Sequence, residues 1–211
     1  MCIASRFSTF LQQPLYGKLV LLSNALTRLK TAIFYRWFFG SMGKRCSLGK
    51  PLQLNNPRYM YLGDRVLIRQ GARLEAIRLF SHRIPELRIG NDVNIEQNVH
   101  IVCQSKVSIG NKVSITGHCA IVDTTHPFVT LGDGQKIGAE ILDEESYVII
   151  EDHAFIGFGS VILPNVKIGR YAVIGALSVV DRDVPAFGVV RGNPAKLLSI
   201  YRGPASGSNA C

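Results

Sequence analysis

Branched aliphatic residues recur at every sixth position through Ile150, Ile156, Ile162, Ile168, Ile174 and Val180. Four positions after each stands a small or β-branched residue, at Ala154, Ser160, Val166, Ala172, Ser178 and Val184. A period of six matches neither the 3.6-residue repeat of an amphipathic helix nor the two-residue alternation of a half-buried strand. It predicts a parallel β-helix, in which each hexapeptide is one short strand plus a corner and three of them close a triangular coil around the aliphatics. The register extends backwards through Met42, Leu48 and Leu54, then Leu62, Ile68 and Leu74, then Ile89, Ile95 and Ile101, then Ile109, Ile115 and Ile121. The class expected is therefore all-β, a column of about six coils and roughly 29 Å tall at the usual strand spacing. Glycine follows the aliphatic at Gly43, Gly49, Gly63, Gly90, Gly110, Gly157, Gly169 and Gly175, where a corner is expected to need permissive backbone angles.

The steps between coils differ from those within them. Leu54 to Leu62 and Ile101 to Ile109 are steps of eight, Leu74 to Ile89 is fifteen and Ile121 to Ile150 is twenty-nine. With three hexapeptides per coil, every insertion falls at the same corner. His82, Cys103, Gln104 and the long loop 122–149 are then expected along one side of the column, and loops on a rigid scaffold are where function concentrates.

Residues 1–41 follow another rhythm. Leu15, Leu19, Leu22, Leu26, Leu29, Ile33 and Trp37 recur at intervals of three and four, the stripe of an amphipathic helix. Lys18, Arg28, Lys30 and Arg36 interrupt it, so no window reaches the roughly 18–20 uncharged residues of a membrane span. A short apolar core followed by a small-residue cleavage site is absent too, which argues against a secretory signal. Two roles are open to this extension: a cover for the open end of the column, or an interfacial helix with Phe34, Trp37, Phe38 and Phe39 in a bilayer and the basic residues on headgroups. The division expected is a helical extension at 1–41, the β-helix at 42–184 and a C-terminal segment at 185–211.

Composition refines this picture in two ways. The net charge of +9 favours anionic partners such as nucleotide phosphates or acidic lipids; no nucleic-acid-binding motif is present, so none is expected as a partner. Cys2, Cys46, Cys103, Cys119 and Cys211 show no paired spacing, the usage of reduced thiols in a cytoplasmic protein.

The long loop opens with Asp123-Thr124-Thr125-His126-Pro127. Further on come His153-Ala154-Phe155-Ile156-Gly157-Phe158-Gly159-Ser160 and the tail Gly192-Asn193-Pro194-Ala195-Lys196. In this order, and together with the repeats, these segments resemble the hexapeptide-repeat acyltransferases over about residues 42–200, and within them the maltose, galactoside and exopolysaccharide O-acetyltransferases. The resemblance implies a left-handed coil, although ordinary parallel crossovers are right-handed. It also implies a homotrimer with acetyl-CoA lying between neighbouring columns, and no metal. His126 is then the general base; an imidazole suits the task because it is largely neutral near pH 7. Asp123 either orients that ring or caps the turn.

For the cofactor the resemblance implies Phe155, Gly157, Gly159 and Ala176 along the pantetheine arm and Arg182, Arg191 and Lys196 near the phosphates. Glu96 falls where sugar acetyltransferases carry an acceptor-binding Asn, with Asn98 as a nearby amide. The activity implied is O-acetylation of a sugar hydroxyl in surface-polysaccharide biosynthesis. The extension favours a lipid-linked acceptor and an enzyme that is cytoplasmic or peripheral on the inner membrane. Alternatives are N-acetylation of an amino sugar, a covalent route through Cys103 or Cys119, a metal enzyme of the γ-carbonic anhydrase kind using His100, His118 and His126, and a non-catalytic scaffold.

Overall fold

In the computed structural model, which describes residues 13–127 and 136–203, the aliphatics stack in three files. The outer parts of the expected extension and C-terminal segment, and 128–135 of the long loop, lie outside the described residues. Met42, Leu62, Ile89, Ile109, Ile150 and Ile168 are parallel register partners in the first sheet. Leu48, Ile68, Ile95, Ile115, Ile156 and Ile174 are partners in the second, and Leu54, Leu74, Ile101, Ile121, Ile162 and Val180 in the third. All are buried except Leu54, which is partly so. Each fully buried Leu or Ile contributes about 1.5–3 kcal/mol, so the three files form the core of the column.

The column runs past Val184, where the repeat was expected to stop. Val184 bridges Ile168 and Val190 pairs with Ile174, a partial seventh coil hidden in the sequence because the step from Val180 to Val184 is four residues rather than six. Strand Gly188–Arg191 then folds back on Lys196–Ile200 in antiparallel register, the exception in an otherwise parallel stack.

Every insertion leaves the third sheet and re-enters the first, so all emerge along one edge of the triangle. The two longest meet: Arg83 Nη1 and His82 Nε2 lie 2.9 and 3.3 Å from an Asp143 carboxylate oxygen. The edge between the first and second sheets, by contrast, turns the same way in every coil. Arg45, Arg65, Asp92, Lys112, His153, Tyr171 and Phe187 there all have φ between 54° and 61°. Asp64, Asn91, Asn111 and Asp152 each accept, through Oδ1, the backbone N–H of a residue one coil earlier, at 2.6–2.9 Å.

The glycines that follow the aliphatics serve a purpose other than the one expected. Left-handed angles fall on mostly non-glycine residues three positions after the aliphatic, whereas the following glycine answers a need for space. A Cβ on Gly90 would lie 2.7 Å from the Gly110 carbonyl of the next coil.

A helix, α1, spans Leu15–Ile33. Its one buried residue is Thr31, whose Oγ accepts the Leu48 N–H at 2.9 Å and anchors the helix end to the first coil. At roughly 100° per residue Thr31 lies about 160° round the helix from Leu15, so the stripe of Leu15, Leu19, Leu22, Leu26, Leu29 and Ile33 faces away from the column and is exposed. It does not cover the open end; the buried side chains there are Tyr35 and Phe39 on the segment that follows.

Candidate active site

The long loop is built as a stem of two limbs. Ser146 Oγ donates to the Asp123 carbonyl, Leu142 N–H donates to the Thr125 carbonyl at 2.9 Å, and His126 Nδ1 lies 2.6 Å from the Glu140 carbonyl. Gln104 Nε2 donates to Leu142 O at 2.7 Å and ties the stem to the preceding coil.

A carbonyl oxygen accepts only, so Nδ1 of His126 carries the proton and Nε2 keeps its lone pair. The ring sits on an exposed part of the loop. One tautomer of the neutral ring is thus held by a backbone group, and among the described residues Nε2 has no hydrogen-bond partner.

Asp123 does not orient that ring. It is 1% exposed, and its carboxylate accepts the backbone N–H groups of Gln104 at 2.6 Å and of Ser105 and Lys106 at 2.8 Å. Burial pushes its carboxyl above the ordinary range, against the pull of these amides. The geometry is that of a turn cap, and the orienting partner of His126 is the Glu140 carbonyl instead.

The residues expected around acetyl-CoA divide between two edges. Gly157, Gly159 and Ala176 lie at corners between the second and third sheets, while Arg191, at the end of a second-sheet strand, packs against Gly175 and is paired in register with Lys196. Phe155 is 42% exposed on the second sheet. Gly157 and Gly159 are also demanded by the coil itself: a Cβ on Gly157 would sit 2.5 Å from the Ile174 carbonyl, and Gly159 has φ +68°. Arg182 is on the insertion edge with His126, ion-paired to Asp181 at 2.9 Å.

Glu96 and Asn98 share the edge of Gly157, on a lower coil. Glu96 is 3.5 Å from Arg69, and Asn98 Nδ2 is 3.3 Å from His118 Nε2. His118, whose ring lies 5.1 Å from that of Phe158, joins this row. The signal that finds it is its place three residues after Ile115, the left-handed corner position whose side chain points outward. Within one chain the third sheet separates this whole row from His126.

Cys103 and Cys119 are buried, and burial raises both thiols above their ordinary value, Cys103 also through the neighbouring Asp123 carboxylate. Neither is an accessible thiolate for a covalent route. Within one chain, His100 on the third sheet, His118 at one of its edges and His126 at the other do not converge. Among the described residues no group of three His, Cys, Asp or Glu side chains is arranged to hold a metal.

Residues 147–182 match the family described as bacterial transferase hexapeptide (six repeats), the stretch that supplies the top two complete coils. This stretch of the chain carries the hexapeptide-transferase repeat. Relatives of this transferase include the dTDP-4-amino-4,6-dideoxy-D-glucose acyltransferase of Escherichia coli, 28% identical over 72% of this chain and 81% of that protein. The putative lipopolysaccharide biosynthesis O-acetyl transferase WbbJ of E. coli K12 is also 28% identical, over 82% of this chain and 84% of its own. Among solved structures, AntD, an N-acyltransferase from Bacillus cereus in complex with dTDP and 3-hydroxybutyryl-CoA, superposes with a TM-score of 0.68 at 20% identity. The match covers 82% of this chain and 88% of that one.

Proposed function

We propose that this transferase is an acetyl-CoA-dependent O-acetyltransferase acting on a sugar hydroxyl in surface-polysaccharide biosynthesis, with His126 as general base. The observation that carries the reading is the Glu140 carbonyl on His126 Nδ1, which leaves Nε2 as the proton acceptor. Nε2 takes the acceptor's hydroxyl proton as the oxygen attacks the thioester carbonyl. The C–S bond then breaks, the acetyl ester forms, and the CoA sulfur leaves with the proton returned from the imidazolium. Both substrates are bound at once, so orientation supplies much of the rate and the base about 10²–10⁴-fold.

Acetyl-CoA is the co-substrate, as CoA or acyl-CoA is the ligand of the AntD and Vibrio cholerae VCA0836 structures. The separation of His126 from Gly157, Gly159, Ala176, Arg191 and Lys196 by a whole sheet supports a homotrimer of left-handed coils. In it the base of one copy faces the donor row of the next. The enzyme works in the cytoplasm or on the inner membrane, and the lipopolysaccharide relative supports a lipid-linked glycan as acceptor. N-acylation of an amino sugar is the second reading, favoured by the dideoxy-aminoglucose acyltransferase.

An acceptor screen with labelled acetyl-CoA tests both readings, using neutral sugars, amino sugars, nucleotide sugars and lipid-linked glycans beside His126→Ala. Base-labile label on a neutral sugar, lost with the alanine variant, is the expected result. Base-stable label on an amine selects the second reading. Absence of transfer to every acceptor, or full activity without His126, overturns the proposal.

A further inference from the structure

The charge of the chain is distributed unevenly. Residues 1–63 contain nine Lys and Arg and no Asp or Glu, and residues 64–211 contain fifteen of each. The entire net charge of +9 therefore belongs to the extension and the first coil, and the rest of the protein is neutral.

Among the described residues, that same end presents an unpartnered apolar face. The α1 stripe of Leu15, Leu19, Leu22, Leu26, Leu29 and Ile33 is turned to solvent, and the segment after it exposes Phe34, Phe38 and Trp37, the last at 83%. At roughly 100° per residue Lys18 and Lys30 fall about 60° to either side of the stripe's centre, where their stems follow the apolar surface and their ammonium groups reach the polar boundary. Among the described residues no helix is long and apolar enough to cross a membrane. The stripe therefore fits a surface on which a helix lies flat.

Beside the stripe a cleft of about 780 Å³ opens between α1 and the first coils, lined among others by Arg28, Arg36, Arg45, Arg65, Ser47 and Asn94. Arg65 is occupied by Asp92, Nη2 to Oδ2 2.7 Å. Arg28, Arg36 and Arg45 make no ion pair among the described residues. Three arginines without an ion pair among the described residues line one cleft whose lining holds no carboxylate, a setting suited to phosphate. A second copy of the same face is a poor occupant, since it would oppose one basic surface with another.

We propose that this end of the column is a docking face for an anionic bilayer, with the α1 stripe in the boundary between headgroups and acyl chains and the arginine cleft over a lipid phosphate. The face acts without the acetyl-transfer chemistry, so its test is read without turnover and its failure leaves the acyltransferase reading standing. Flotation of the full chain is compared on vesicles of neutral phosphatidylcholine and on vesicles with about 30% phosphatidylserine, a composition that sets a negative surface potential. Binding to the anionic vesicles alone is expected, falling steeply between about 50 and 500 mM salt as charges are screened. Arg28→Gln/Arg36→Gln/Arg45→Gln should weaken it about 10²-fold, on the usual fivefold or so per basic residue near a membrane surface. Leu19→Gln/Leu22→Gln/Leu26→Gln, on an exposed face that holds no part of the core, should abolish retention at high vesicle dilution. Equal binding to neutral vesicles, no binding at low salt, an unaltered arginine variant, or a stripe-dependent assembly of the protein by light scattering in place of vesicle binding would each overturn the proposal. Inorganic phosphate at millimolar concentration separates the two sources of the ligand: competition without vesicle flotation means a soluble phosphate site and also overturns it.

Discussion

Two edges of the column are made by one chain under one repeat, and they differ in the regularity of their crossings. Between the first and second sheets each coil repeats the turn of the one before, so a side-chain oxygen of Asp64, Asn91, Asn111 or Asp152 always finds the same amide one coil earlier. Between the third and first sheets the crossings have unequal lengths, yet Asp123, Asn165 and Asp183 still accept the N–H groups of Lys106, Tyr147 and Lys167 one coil earlier. There the buried carboxylate of Asp123 gathers three amides at once, and a two-limbed stem carries His126 outward. The difference teaches where chemistry fits in a solenoid: both edges cap strand-opening amides with side-chain oxygens, and only the unequal crossings add the chain length that carries a side chain outward.

The largest expected effect breaks the second edge at its tip. His126→Ala should lower kcat by about 10²–10⁴-fold with an unchanged urea midpoint, because the ring is exposed and makes one hydrogen bond among the described residues; a loss under about fivefold would return the loop to a structural role. Next comes Asp123→Ala, which leaves the amides of Gln104, Ser105 and Lys106 without an acceptor. Stranded buried groups cost about 1–3 kcal/mol each, so equilibrium denaturation should show a loss of about 3 kcal/mol or more, with activity falling through disorder of the stem. Asn111→Ala on the regular edge removes an exposed acceptor flanked by intact coils and should cost only about 0.5–1.5 kcal/mol. Equal losses for the two variants would erase the contrast between the edges.

The smallest effect concerns pH. His100 is half-buried on the third sheet beside Arg73, and burial first, then that guanidinium, lowers its pKa from the ordinary 6.5. The folded state therefore resists a proton that the unfolded chain accepts, so stability is intact above about pH 6.5 and declines as the pH falls through the window below it. Thermal melts between pH 7 and 5 should show this decline, and His100→Gln should flatten it.

The register of six coils was legible because each inward file repeats a branched aliphatic at a constant step, and the single insertion edge followed from the same arithmetic. The seventh partial coil was not, since a four-residue step from Val180 to Val184 mimics the end of the pattern. Periodicity identified the stripe on α1 but not its direction, because what a face looks at is decided by its anchor, here Thr31. Residue types left Asp123 open as partner of His126 or as a turn cap, and it is the cap. The actual partner is a backbone carbonyl fourteen residues onward, a group that every residue has and no sequence advertises.

The upper rim of the column has one further consequence. A stack of parallel rungs ends in unpaired amides and carbonyls, an invitation for another molecule to continue the pile into a fibre. Lys196–Ile200 runs against the grain of the second sheet, and a rung laid the wrong way cannot template a further one in the same sense. The hairpin ends the parallel stacking of that sheet.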